Sequence, residues 1–166
     1  MSDGVYGQQQ RVQNVQPGAS QKMDVRNAMN MPKDENGQRE WSNGLFTCLE
    51  DVFTFGLSWF CPCVVYSQTK TRTEYLEANG RPHPDGGELV GPDCALYGCL
   101  TVCGGCSVIF QYFQRNELRN RYNIRGDPAM DVLATCFCRP CSLTQQAREV
   151  ELEERALMGM SPSKMA

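Results

Sequence analysis

The sequence predicts an all-α, small cysteine-rich helical domain with two hydrophobic, membrane-associated segments behind a disordered N-terminal arm. Three observations lead there. The apolar residues recur at helical spacing, and ten cysteines sit in a chain of 166 residues. A 21-residue uncharged stretch runs from Cys94 to Gln114. At ~1.5 Å rise per residue, a helix of that length suffices to cross a ~30 Å hydrocarbon layer.

The elements follow in order. Residues 1–38 are rich in Gln, Asn, Gly and Pro and show no hydrophobic period. Such a segment buries too little apolar surface to offset the entropy of ordering, which predicts a disordered arm. Order is expected from Trp41, with Ser42 or Asn43 as an N-cap. Phe46, Leu49, Phe53, Leu57 and Phe60 then form one helical stripe, the mark of an amphipathic helix lying on a bilayer surface or a core. Pro62 interrupts the run, and 18 uncharged residues between Asp51 and Lys70 make a re-entrant or interfacial element.

Residues 67–93 read as a polar loop, with at most a short helix through Thr73–Glu77 and a solvated His83. In the central stretch, Asp93 is the expected N-cap, and Arg115, Arg119 and Arg121 are the expected cationic anchors at its exit. Cys99, Cys103 and Cys106 (i, i+4, i+7) share one helix face there, as a thiol stripe. Gly98 and Gly105 would admit a close neighbour. Glu117 and Arg121 are spaced to pair along the helix to about Tyr122.

Asp127 caps a further helix with Pro128 at its first position, leading into Cys136-Phe137-Cys138-Arg139-Pro140-Cys141. Ser142 and Gln145 have capping-box spacing for a last helix toward Leu157. Leu143, Val150 and Leu157 mark its apolar face, and Glu149, Glu151, Glu153, Glu154 and Arg155 its outer faces. Residues 156–166 read as a frayed tail.

The chemistry lies in the cysteines. Cys61-Pro62-Cys63 and Cys136/Cys138/Cys141 hold thiols on tight, proline-stiffened turns. The expected metal ligands are Cys61, Cys63, Cys138, Cys141 and Cys136, converging on a sulfur site suited to zinc or another soft divalent metal. Acylation at a membrane boundary and simple packing are the other readings of the same thiols. The first residues lack the apolar core of a secretory signal, so free, metal-bound or acylated thiols rank above a disulfide scaffold.

A net charge of −3 offers no footprint for nucleic acid. No G-x-S-x-G, P-loop or H-E-x-x-H motif occurs, and no enzyme is expected. Arginines crowd the exit of the central stretch, which orients both termini to the cytoplasm. One chain offers too few spans to enclose a pore, so transport calls for a homo-oligomer.

Several segments resemble a known family. They are Trp41-Ser42-Asn43-Gly44-Leu45-Phe46, Phe60-Cys61-Pro62-Cys63, Ala95-Leu96-Tyr97 and Arg119-Asn120-Arg121-Tyr122-Asn123-Ile124. Cys138-x-x-Cys141-Ser142-Leu143 and Gln145-Gln146-Ala147-Arg148-Glu149-Val150 complete the set. Over residues 41–155 they are similar to the cysteine-rich placenta-specific-eight domain of plant cadmium-resistance proteins and fruit-weight (cell-number) regulators. Plant members often carry Cys-Cys where this chain has Phe55-Gly56, and a further Cys where it has Thr144. The resemblance implies a membrane protein, often at the plasma membrane, tied to divalent-metal tolerance (zinc or cadmium) or to control of cell number.

Overall fold

A computed structural model describes residues 24–159. The expectations for residues 1–23 and 160–166 lie outside them. Six α-helices follow one another: α1 (Val52–Phe60), α2 (Pro62–Asn79), α3 (Pro92–Val102), α4 (Ser107–Tyr122), α5 (Pro128–Phe137) and α6 (Arg139–Leu157). Two 3-10 turns, Val25–Asn27 and Leu45–Glu50, precede them. The all-α class holds.

The organising element is α6, which packs against α1, α2, α4, α5 and both 3-10 turns, while α3 lies on α2 and α4. Val65, Tyr66, Tyr97, Leu143 and Ala147 form one buried apolar cluster. Leu76, Leu118, Tyr122, Ile124 and Val150 form another. Along α2 and α6 the residues between these clusters are polar: Ser67, Thr69 and Thr73 on α2, and Glu149 on α6, all buried.

The expected helix ends divide into those that stand and those that move. Asp127 caps α5, its Oδ1 accepting from the Ala129 N–H at 3.3 Å. Pro62 does separate two elements, but it opens α2 at the first helical position, where no backbone donor is needed. α2 therefore runs on through the expected polar loop to Asn79, closed by left-handed Gly80. Gly91, not Asp93, occupies the N-cap of α3, and Asp93 pairs with Lys70 instead. Asp51 stops the expected amphipathic helix at its midpoint and caps α1 by accepting from the Thr54 N–H.

The 21-residue central helix is not continuous. It breaks between Val102 and Ser107, where adjacent Gly104 (φ 116°) and Gly105 (φ 81°) take a backbone that side-chain-bearing residues avoid. Among the described residues no helix is long and apolar enough to cross a membrane.

The arm also differs from expectation. Residues 24–38 hold a 3-10 turn packed on α6, and Arg39 bridges Ile124 through Arg39 N–H to Asn123 C=O (2.9 Å) and Arg125 N–H to Arg39 C=O (2.7 Å). At the other end Ala156 is buried and α6 remains helical to Leu157.

Candidate functional site

Around its two apolar clusters the polarity of this bundle is partly inverted. Phe46, Phe53, Phe60, Val102 and Phe137 are between 81% and 87% exposed, and Trp59, Leu96, Ile109, Phe113 and Leu133 are exposed with them. Most of the expected stripe Phe46/Leu49/Phe53/Phe60 thus faces outward. Ser58, Ser67, Ser107, Gln111, Gln114, Thr135, Thr144 and Gln146 are buried in its place.

Charges are inside too. Glu149, Glu153 and Glu154, expected on the outer faces of the last helix, are buried and ion-paired with Arg39, Arg121 and Arg72. The Arg121 expected to pair with Glu117 is taken by Glu153 and Glu77. Arg115 is no membrane anchor: it is buried, donates from Nε to Asp131 at 2.8 Å, and stacks over Trp41 at 4.4 Å. Its Nη1 donates to Ser142 Oγ and Gln145 Oε1, so the expected capping-box pair serves α4 from inside α6. Ser67 Oγ, Ser107 Oγ, Gln114 Oε1 and Gln146 Oε1 are buried without a hydrogen-bond partner.

The cysteines sit at the helix junctions, and two junctions repeat one design. Each begins with an Asp-capped short apolar helix and passes through a cysteine that is both C-cap and N-cap. A long helix then starts with proline in its first turn. Cys61 (φ −132°, ψ 64°) and Cys138 (φ −129°, ψ 62°) share one backbone conformation, and each donates its N–H back to the preceding helix.

Each repeated pair meets a third thiol that has no motif around it in the sequence. Cys141, joined to Cys138 in a disulfide, has Cys48 Sγ 2.9 Å from its own Sγ. Cys94, in the first turn of α3, has the Cys63 and Cys61 thiols as its electrostatic neighbours. Burial and these two thiol neighbours push the Cys94 thiol up to about 11, and burial pushes the Cys48 thiol up as well. Cys99 and Cys103, with sulfurs 3.9 Å apart, and Cys106 are exposed at and beside the α3–α4 turn. Cys136 is exposed near the end of α5.

Of the expected ligands Cys61, Cys63, Cys136, Cys138 and Cys141, the structure joins Cys138 to Cys141 and sets Cys48 against Cys141. Among the described residues no set of three or more His, Cys, Asp or Glu is arranged to hold a metal ion. The thiol chemistry itself suits a soft metal.

His83, expected in solvent, pins its loop: Nδ1 accepts from the Asp85 and Gly87 N–H groups, each at 3.2 Å, and the ring meets Tyr75 edge-on.

The PLAC8 family model matches residues 41–149, a span that holds five of the six α-helices whole and most of α6. The chain belongs to the PLAC8 family. Among its PLAC8 relatives is Protein PLANT CADMIUM RESISTANCE 2 of Arabidopsis thaliana, 32% identical over 124 residues, covering 75% of each chain. PLANT CADMIUM RESISTANCE 9 of the same plant is 31% identical over 78% of this chain and 79% of its own. Cell number regulator 11 of Zea mays is 30% identical over 71% of this chain and 67% of its own. No solved structure matches.

Proposed function

We propose that this PLAC8 protein is a membrane-associated handler of soft divalent metal ions, zinc or cadmium, acting as a homo-oligomer at the plasma membrane with both termini cytoplasmic. One observation carries the reading: the bundle buries a large set of polar and ion-paired side chains while it exposes Phe46, Phe53, Phe60, Phe113 and Phe137. In water that distribution is costly, because each exposed phenylalanine forgoes roughly 1.5–3 kcal/mol of burial. Against lipid the cost vanishes, and the buried Gln, Ser and ion-paired groups are those a bilayer would exclude.

Short helices broken at Cys61, at Gly104-Gly105 and at Cys138 suit elements that enter the membrane and return rather than cross it. Metal is cargo in this reading. Thiols are its natural soft donors, and exposed Cys99, Cys103 and Cys106 are accessible to a second chain. Partnerless buried oxygens at Ser67, Gln114 and Gln146 give the interior acceptors for water or cations. Relatives named for cadmium resistance support the metal reading.

Vesicles reconstituted with the full chain test it. Zinc or cadmium flux above that of protein-free vesicles, reduced by replacing Cys99, Cys103 and Cys106 with serine, is expected. Flux equal to empty vesicles would leave the second reading, a non-transporting membrane adaptor that regulates growth, which the relatives named cell number regulators favour. Neither reading assigns a catalytic residue.

A further inference from the structure

Three sulfurs meet where the 3-10 turn Leu45–Glu50 crosses the start of α6. Cys138 and Cys141 are disulfide-bonded with their Cα atoms 5.4 Å apart. The thiol of Cys48, 93 residues away in sequence, lies 2.9 Å from Cys141 Sγ. Cys48 and Cys141 are buried, and a lone packing cysteine would not need to rest on the sulfur of a disulfide.

We propose that these residues form a thiol–disulfide exchange centre in which Cys48 and Cys138 compete for Cys141. In the forward step the Cys48 thiolate attacks Cys141 Sγ. A Cys48–Cys141 bond forms, the Cys138–Cys141 bond breaks, and Cys138 leaves with the electron pair as a thiolate. One disulfide and one thiol are present before and after, so neither oxidant nor reductant is consumed. The proton lost by Cys48 passes to solvent, and Cys138 takes one up when its thiolate is protonated.

The fold equips the partners differently. Cys138 is the N-cap of the 19-residue helix α6, where the positive end of the helix dipole stabilises a thiolate and makes a good leaving group. Cys141, in the first turn of the same helix, is the sulfur common to both bonds. Cys48 is the slow partner, because burial pushes its thiol up, away from the thiolate that attacks.

Exchange also moves a reactive group. Cys138 borders a groove of about 1080 Å³ lined by Phe46, Leu133 and Phe137, so the released thiolate opens onto an apolar surface channel. The new bond ties the Leu45–Glu50 turn to α6 instead of closing a single helical turn. The proposal is independent of metal handling.

The test uses the full chain, purified in detergent and oxidised. Free thiols are trapped by alkylation after acid quenching, and linkages are mapped by peptide mass spectrometry. Wild type is expected to yield both Cys138–Cys141 and Cys48–Cys141, with Cys138 alkylated in the second population. Cys48→Ser should lower Cys138 labelling about tenfold or more, and Cys138→Ser should give Cys48–Cys141 alone. Cys48 alkylated and absent from every disulfide in wild type and in Cys138→Ser would overturn the proposal. So would unchanged Cys138 labelling in Cys48→Ser, or three sulfurs held reduced by bound zinc or cadmium through oxidation. The wild-type map needs no variant to fold.

Discussion

Replacing Arg39 with methionine removes one half of the most enclosed ion pair in the bundle. The Arg39 and Glu149 side chains are 1% and 2% exposed, with Nη2 donating to Oε1 at 2.6 Å. Breaking such a pair from one side costs about 3–5 kcal/mol, because the remaining charge is stranded away from water. Glu149 keeps two donors after the change, the Ser42 N–H at 3.1 Å and the Ser42 hydroxyl at 2.8 Å. The loss therefore falls at the lower end, about 3 kcal/mol. For a chain of this length that lowers Tm by roughly 6–12 °C. Thermal unfolding of the detergent-solubilised protein, followed by circular dichroism, reads it directly. Arg39→Met with Glu149→Leu should recover most of the loss, leaving a coupling of at least about 2 kcal/mol between the two sites. A cost under about 1 kcal/mol for Arg39→Met, or strictly additive effects, would refute a buried pair and with it the docking of residues 24–39 on α6.

Three further outcomes are expected. Asp131→Ala strands Arg115 and Arg119, both paired to it, and should cost about 3 kcal/mol in the same melt. Partial burial, then the carboxylates of Glu77 and Glu74, raise the Glu117 carboxyl above its usual range, so the folded state holds that proton more tightly than the unfolded chain. Its contribution to stability is present at low pH and lost as pH rises through the folded-state value, so Glu117→Gln should raise Tm at pH 7 and lose its advantage near pH 4. Equal Tm differences at both pH values would contradict this. Phe53→Asp with Phe60→Asp should leave the far-ultraviolet spectrum unchanged but shift the protein out of membrane pellets on alkaline washing. Full retention would argue against the exposed phenylalanines as the lipid contact.

Proline-linked signals in the sequence held where cap signals at Asp93 and Ser142 did not. Asp127-Pro128 starts a helix as read, and Pro62 divides two. The direction in which a face points is not written in the spacing. Helical spacing of Phe46, Phe53 and Phe60 shows that they share a side, but it does not say whether that side meets a core or a lipid-facing exterior. The complementary faces, with Gln111, Gln114 and Gln146, carry the same ambiguity. Gly104-Gly105 is a helix-breaking pair that the 21 uncharged residues around it conceal. Cys48 and Cys94 were missed as site residues because each stands apart from the short motifs. Only the folding of α6 against the Leu45–Glu50 turn, and of α3 against α2, brings them to Cys141 and Cys63.

The inverted polarity is tested most directly by its two tryptophans. Trp59 lies exposed on α1, whereas Trp41 is half-buried beneath Arg115. Trp41→Phe and Trp59→Phe each leave a single indole, and brominated lipids quench only those in contact with acyl chains. In reconstituted vesicles, strong quenching of Trp59 in the Trp41→Phe protein and weak quenching of Trp41 in the Trp59→Phe protein are predicted. Trp59 quenched by aqueous iodide but not by brominated lipid would contradict a lipid-facing shell.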